Sequence, residues 1–259
     1  MGNCSSQPEN DGAPAPRRAR QQARGPITIG APQEVMIHVP RNRVDHYGVP
    51  VQQVTRDIER DTLLAALKHV ANYIAQRGHT ITVVAVGGAV NTLHLQSRRA
   101  THDVDIFGAD FNNQARVLLD EAMHDAQRHY RGLGTDWLNT ETQMWMPGPI
   151  HQQLTAAAVK QNVKVFDMVG LTIYAAPWSY AFSAKVSRLL AGGDQARPYD
   201  LDDAVTYIHE YIRIHGNQPV KVSTATDWAR HFRHESTPDF LRTRVNQAYR
   251  RRYGREAFV

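Results

Sequence analysis

A chain of 259 residues with 42% hydrophobic and 21% charged residues can bury a substantial core, and its size allows one or two domains. The single cysteine, Cys4, excludes an internal disulfide and a cysteine-based zinc cluster. The formal charge of +5 suits a polyanionic partner, but the arginines are concentrated in residues 17–24 and 242–255. These two segments either contact nucleic acid or form a solvated tail and a surface helix.

The first 33 residues predict a disordered tail, because they are rich in Gly, Pro, Ser, Gln and Arg and have almost no large apolar side chains. The opening run Met-Gly-Asn-Cys-Ser-Ser is typical of myristoylation at Gly2, with palmitoylation of Cys4 as a second anchor. The alternative is a start sequence that only resembles this motif. Because the chain has no secretory signal and no apolar stretch of about 18 residues, we expect a cytoplasmic protein, peripheral to the inner leaflet of a membrane if the tail is lipidated.

The middle of the chain predicts alternating helices and strands. Apolar residues three and four positions apart predict a helix over 51–75, and a β-branched run predicts a strand over 80–86. The next predicted elements are a short helix at 89–96, a strand at 103–107 and an amphipathic helix at 112–130. Residues 132–149 contain Gly and Pro breakers without periodicity, which predicts a loop.

The rest of the chain predicts one helix, a pair of strands and then only helices. Their ranges are 151–161 for the helix, 163–168 and 171–175 for the strands, and 178–190, 200–214, 223–232 and 238–253 for the later helices. We therefore expect an α+β fold with a small mixed β-sheet flanked by helices. Residues 34–176 would form its core, and residues 177–259 a helical C-terminal region.

Two closely spaced carboxylates, Asp103 and Asp105, are the most informative polar residues. Positions two apart in a strand point to the same face and lie about 6.6 Å apart along the chain. A divalent cation explains why two such anions are adjacent, since Mg²⁺ and Mn²⁺ prefer carboxylate oxygens. Upstream, Gly87 and Gly88 join a strand to a helix, where backbone N–H groups can hold a phosphate. The alternative for the two acids is a solvated strand end.

This arrangement resembles the nucleotidyltransferase superfamily related to DNA polymerase β, in which a Gly-Gly or Gly-Ser turn precedes an Asp-x-Asp strand. The run Arg99-Ala-Thr-His-Asp-Val-Asp-Ile106 is similar to the Arg-x-Thr-x-Asp-Val-Asp pattern of the stand-alone branch that includes the AbiEii-type toxins. That branch also has a lysine on a later helix and an Asp-rich motif after it. Lys185-Val-Ser-Arg188 and Arg197-Pro-Tyr-Asp-Leu-Asp-Asp203 match those places.

The resemblance implies a role for each matching residue. Asp103 and Asp105 would hold Mg²⁺ or Mn²⁺ on a nucleoside triphosphate, and Asp167, on a separate predicted strand, is the best candidate for the third catalytic acid. The residues implied to bind the nucleotide are Gly87, Gly88, Lys185, Arg188, Asp200 and Asp203. For Asp200 and Asp203, a helix N-cap and an acid one turn later is the alternative. Ala89 departs from the small hydroxyl residues common in active members.

The resemblance thus implies a metal-dependent nucleotidyltransferase that moves a nucleotidyl group from an NTP to a hydroxyl of a protein or RNA acceptor. The alternative is a catalytically inactive protein of the same fold that acts as a lipid-anchored binding or scaffold protein. A third reading takes Asp-Val-Asp as the metal motif of a nucleotide-sugar glycosyltransferase, which the absence of a lumenal signal disfavours.

Overall fold

The computed structural model describes residues 54–108, 113–140, 142, 146 and 148–259. The predicted lipidation sites Gly2 and Cys4 and the predicted tail lie outside these residues. Within the described residues, no helix combines the length and the apolar character that crossing a membrane requires.

A five-stranded mixed sheet forms the centre of the molecule. Its strands are β2 (Ile81–Val86), β4 (Val104–Phe107), β5 (Leu138–Asn139), β6 (Lys164–Met168) and β7 (Leu171–Ala175), in the order β5-β4-β2-β7-β6. β2 pairs with β4 antiparallel and with β7 parallel, β5 is parallel to β4, and β6 is antiparallel to β7. The short strands β1 (Ile58–Glu59) and β3 (Ala100–Thr101) form a separate antiparallel pair.

Helices surround this sheet. They are α1 (Arg60–Gln76), α2 (Gly88–Val90), α3 (Asn113–His129), α4 (Gly148–Gln161), α5 (Trp178–Gly192), α6 (Asp200–Ile214), α7 (Val222–Phe232), α8 (Pro238–Phe240) and α9 (Asn246–Tyr253). α2 and α8 continue directly into π-helical segments, Asn91–Leu95 and Leu241–Val245. The expected α+β architecture, a small mixed sheet flanked by helices, is therefore confirmed.

The two faces of the sheet are buried by different helices. Val83, Val104 and Ile106 belong to the main hydrophobic core, which also contains the apolar faces of α1 and α3. Val84 and Phe107 point to the opposite face and pack in a smaller cluster with apolar residues of α4 and α5. Neighbouring residues of a strand point to opposite faces of the sheet. The positions of the buried apolar residues therefore also determine the face on which the polar residues of the same strand lie.

The main core continues into the C-terminal helices. Tyr249 of α9 and Phe258 are buried in the same cluster as the strands. The helical region predicted after residue 176 therefore packs on the core that contains the sheet. The division of the chain at that residue remains a prediction.

Two expected boundaries are wrong. The helix predicted from residue 51 begins at Arg60, because Ile58 and Glu59 are extended and pair with β3. The apolar Ile58 fits the helical spacing, but it is buried as a strand residue. The predicted loop 132–149 contains the strand β5 and the first two residues of α4.

Candidate active site

One cleft, with a volume of about 510 Å³, collects most of the residues that the sequence singles out. Those lining it are Gly87, Gly88, Asp103, Asp105, Lys185 and Arg188. They come from the end of β2, from β4 and the segment before it, and from α5. Residues separated by about a hundred positions in the chain therefore meet at one surface.

The Gly87-Gly88 turn connects β2 to α2, and each glycine is required for a different reason. Gly87 has a φ of 71°, in the left-handed region that side chains disfavour. Gly88 packs so tightly that a Cβ atom would overlap the Thr101 hydroxyl and lie 3.3 Å from Nη1 of Arg98. Tyr207 of α6 fixes the turn by donating a hydrogen bond of 3.1 Å to the Gly87 carbonyl oxygen.

The Asp-Val-Asp segment lies directly beside this turn. β4 pairs with β2 so that Asp105 is opposite Val86, the residue before Gly87. A Cβ atom on Gly87 would be 3.9 Å from Oδ2 of Asp105, which shows how close the carboxylate is to the turn. Asp103 and Asp105 are both half-buried, whereas Val104 between them is fully buried. The two acids thus occupy one face of the strand end.

A buried cluster of ion pairs forms the cationic wall of the cleft. Nζ of Lys185 lies 2.6 Å from Oδ1 of Asp200 and 2.8 Å from Oδ2 of Asp203. The exposed fractions of these three side chains are 5%, 0% and 3%. Arg98 binds both oxygens of Asp203, with Nε 3.0 Å from Oδ1, and Asn91 donates to the same carboxylate. This pairing joins the segment after α2 to α5 and α6.

The cluster gives Asp200 and Asp203 a different position from that of a simple helix cap. The N-cap residue of α6 is Tyr199, and Asp200 is the first helical residue, buried against Lys185. Burial lowers the pKa of Lys185 from its ordinary value and Arg188 adds to this, whereas Asp203 and Asp200 oppose it. Asp200 and Asp203 therefore hold Lys185 in position at the edge of the cleft.

Asp167 lies elsewhere, so the expectation that it joins Asp103 and Asp105 at one metal ion is wrong. β6 is three strands from β4 in the sheet, and Asp167 pairs with Thr172, near the opposite end of β7. With strands about 4.8 Å apart and residues about 3.3 Å apart along a strand, this register separates Asp167 from Asp105 by about 20 Å. Asp167 accepts hydrogen bonds from Lys164 and Thr172 instead, and the Lys164 bond lowers its pKa.

The structure adds polar residues to which the sequence pattern assigned no role. Asp136 lines the cleft just before β5, the strand that pairs with β4. Arg98 and Arg197 also line it, and the guanidinium of Arg98 stacks 3.7 Å from the ring centre of Tyr199. Trp137 and Leu138, which follow Asp136, are buried in the main core, although no local repeat in the sequence marks the strand there.

Both carboxylates and cations line the cleft. The carboxylates include Asp103, Asp105 and Asp136, and the cations include Arg98, Arg99, Lys185 and Arg188. A ligand that combines phosphates with a bound cation has the complementary distribution of charge.

Comparison with known proteins gives one match. A family model described as "Domain of unknown function (DUF7582)" matches residues 56–256. The chain belongs to the DUF7582 family. No curated protein and no solved structure matches it. The DUF7582 match contains every lining residue of the cleft except Val54 and Thr55, which lie just before it, so the site falls almost entirely within the domain that defines the family.

Proposed function

We propose that this DUF7582 protein is a metal-dependent nucleotidyltransferase. The main support for the proposal is that one cleft is lined by the Gly87-Gly88 turn, the Asp103/Asp105 pair and the cations of α5. These are the three motifs that resemble the nucleotidyltransferase superfamily. Their proximity was not guaranteed by their order in the chain.

The nucleotidyltransferase fold is part of the same proposal. It is supported by β2 leading into a glycine turn and a short helix while the antiparallel neighbour β4 carries the paired acids. Lys185 and Arg188, on a later helix, line the opposite wall. The proposal therefore expects solved nucleotidyltransferases to share the sheet order β5-β4-β2-β7-β6.

The residues of the cleft fit a hard divalent cation. Asp103, Asp105 and Asp136 line the same cleft and offer carboxylate oxygens, which are the ligands that Mg²⁺ and Mn²⁺ prefer. Bound there, the ion would neutralise phosphate charge and lower the pKa of the attacking hydroxyl. In this proposal Asp136 takes the place expected for Asp167.

The cationic wall would hold the triphosphate. Arg188 and Arg197 present guanidinium groups, which match phosphate oxygens through paired hydrogen bonds. Lys185 is almost fully buried and already paired with Asp200 and Asp203, so its role is mainly to position this wall.

The proposed reaction forms a bond between the acceptor oxygen and the α-phosphorus and breaks the bond from that phosphorus to the bridging oxygen. Pyrophosphate leaves with the bonding electrons. The acceptor proton passes to a carboxylate of the cleft, for which we assign Asp136. An Asp136→Asn substitution should then lower the rate about 10²–10⁴-fold, as loss of a general base does.

Transfer of label from α-labelled nucleoside triphosphates tests the proposal. The protein is incubated with each NTP and with Mg²⁺ or Mn²⁺, and both the protein itself and total RNA are offered as acceptors. Asp105→Asn should abolish labelling. Asp167→Asn is the matched control, since it makes the same change about 20 Å away by the strand register and should leave labelling intact. Labelling that survives Asp105→Asn would refute the proposal.

The nature of the acceptor can be tested with the arginines of the C-terminal helical segment. Arg242, Arg244 and Arg250 line a shallow groove that shares no residue with the cleft. If RNA is the acceptor, Arg242→Gln/Arg244→Gln should reduce RNA labelling and its salt dependence without changing nucleotide binding. Arg230→Gln, which changes an exposed arginine paired with Asp227, is the control. Unchanged RNA labelling would show that these arginines do not bind the acceptor, whereas labelling of protein without labelling of RNA would identify a protein acceptor.

A catalytically silent, lipid-anchored binding protein is the second candidate, and two observations favour it. Asn139, a neutral amide, is the register partner of Asp105 on β5. Ala89, at the position of the usual hydroxyl residue, is fully buried in the main core. This candidate predicts metal-dependent nucleotide binding without transfer to any acceptor, or no nucleotide binding at all.

A further inference from the structure

A second group of potential ligands lies between α1 and α3. It consists of His69 on α1 and of Asp125 and His129 on α3, and one ligand atom from each lies within 4.8 Å of the others. None of the three residues lines the cleft. The cluster is therefore separate from the proposed nucleotide site.

Asp125 is placed between the two imidazole rings. Its Oδ2 lies 2.6 Å from Nε2 of His69 and 3.7 Å from Nδ1 of His129. Asp125 and His129 are four residues apart on one helix, a spacing that puts both side chains on the same face. The exposed fractions of the side chains are 23% for His69, 21% for Asp125 and 58% for His129, so solvent reaches the cluster from one side.

The second oxygen of the carboxylate is held by a different partner. Nη2 of Arg128 donates to Oδ1 of Asp125 at 2.6 Å, which leaves Oδ2 directed toward the histidines. Nδ1 of His129 lies 2.9 Å from the backbone carbonyl oxygen of Asp125. When Nδ1 carries the proton and donates to this carbonyl, the lone pair is on Nε2, which would then be the atom of His129 that binds a metal ion. A carbonyl partner of this kind is typical of metal-binding histidines.

We propose that His69, Asp125 and His129 bind a zinc ion that links α1 to α3. Two imidazole nitrogens and one carboxylate oxygen suit Zn²⁺, which takes three protein ligands and leaves a fourth position for water. Mg²⁺ prefers an all-oxygen environment and is not the ion expected here. Because its ligands come from two helices, the ion would fasten them together beside the hydrophobic core that they share.

Zinc titration by isothermal calorimetry tests the site in the full chain. The starting protein carries Asp103→Asn/Asp105→Asn, so that the acids of the proposed nucleotide site do not contribute. We expect one equivalent of Zn²⁺ to bind and the Tm to rise on binding. Co²⁺ bound at the same ligands should give a visible absorption band, which reports directly on imidazole coordination.

His129→Gln is the decisive variant, because its exposed side chain can be changed without disturbing the core. It should weaken zinc binding at least about 10-fold, remove the cobalt band and leave the Tm of the metal-free protein unchanged. His124→Gln, on the same helix and outside the cluster, should leave binding intact.

Three outcomes would overturn the assignment. They are no zinc binding above the level of a nonspecific protein, equal binding by the His129→Gln protein, or a loss of binding in the His124→Gln protein instead. None of these outcomes bears on nucleotidyl transfer, which is measured in the protein with Asp103 and Asp105 intact.

Discussion

Lys185→Met tests whether the ion-pair cluster of the cleft is a structural element. The substitution keeps a long apolar side chain but removes the charge that both Asp200 and Asp203 contact within 3 Å. Asp203 would retain Arg98 and Asn91. Asp200 is fully buried, and among the described residues its remaining ion-pair partner would be Arg188 at 3.7 Å.

Leaving a buried carboxylate without its main partner costs about 3–5 kcal/mol of the free energy of unfolding. For a domain of this size each kcal/mol lowers the Tm by about 2–4 °C, so we expect the Tm to fall by about 6–20 °C. Thermal unfolding followed by circular dichroism measures this change. In the double variant Lys185→Met/Asp200→Asn, which also removes the orphaned charge, part of the lost stability should return.

Lys164→Met is the matched control. Lys164 and Asp167 are also 2.6 Å apart, but their side chains are 43% and 46% exposed. Because solvent screens such a pair, its loss should leave the Tm unchanged within error. Equal Tm values for Lys164→Met and Lys185→Met would refute the expectation that burial makes the Lys185 ion pairs important for stability.

Three further predictions concern other parts of the molecule. Gly88→Ala should lower the free energy of unfolding by about 1–3 kcal/mol and abolish nucleotide binding, because the new Cβ atom would clash with Thr101. Gly132→Ala, whose Cβ atom would lie 3.6 Å from Cγ2 of Thr62, should have no effect in unfolding and binding assays. Burial lowers the pKa of His234 to about 4, below its ordinary 6.5, and Arg188 adds to this shift. As the pH falls, the unfolded chain therefore binds the proton before the folded protein does. The free energy of unfolding should fall by at most about 3 kcal/mol between pH 6.5 and pH 4. Denaturation measured across this pH range should show a smaller fall for His234→Phe. Finally, Gly2→Ala should move the protein from the membrane fraction to the supernatant on cell fractionation if Gly2 is myristoylated, and unchanged partitioning would exclude that lipid anchor.

Local sequence patterns were sufficient to predict an element where each residue's environment depends on its near neighbours in the chain. β2, β4 and α6 lie close to their predicted positions because a strand alternates faces and a helix repeats its buried positions. The same alternation places Asp103 and Asp105 on one side of the chain with Val104 buried behind them. The order of the motifs was also visible in the sequence, although their meeting in one cleft was not.

Long-range register was not available from the sequence. Asp167 does lie on a strand, as expected, but only the pairing of β6 with β7 reveals that it is at the far end of the sheet. β5 is two residues long and exists through its pairing with β4, more than thirty positions earlier, so no local repeat marks it. Arg98 is 105 positions from its partner Asp203, and nothing near either residue indicates that they meet.

The attachment of the last residues to the core has a consequence for biosynthesis. Phe258 packs against Phe182 of α5 with ring centres 5.4 Å apart, and Asn246 bonds both backbone groups of Phe258. At a synthesis rate of about 5–20 residues per second, Phe258 is added about 4–15 s after Phe182. Throughout that interval α5 lacks one of its packing surfaces on the ribosome. The helix that carries Lys185 and Arg188 therefore completes its packing only after Phe258 has been added, well after the β2 turn and the acids of β4.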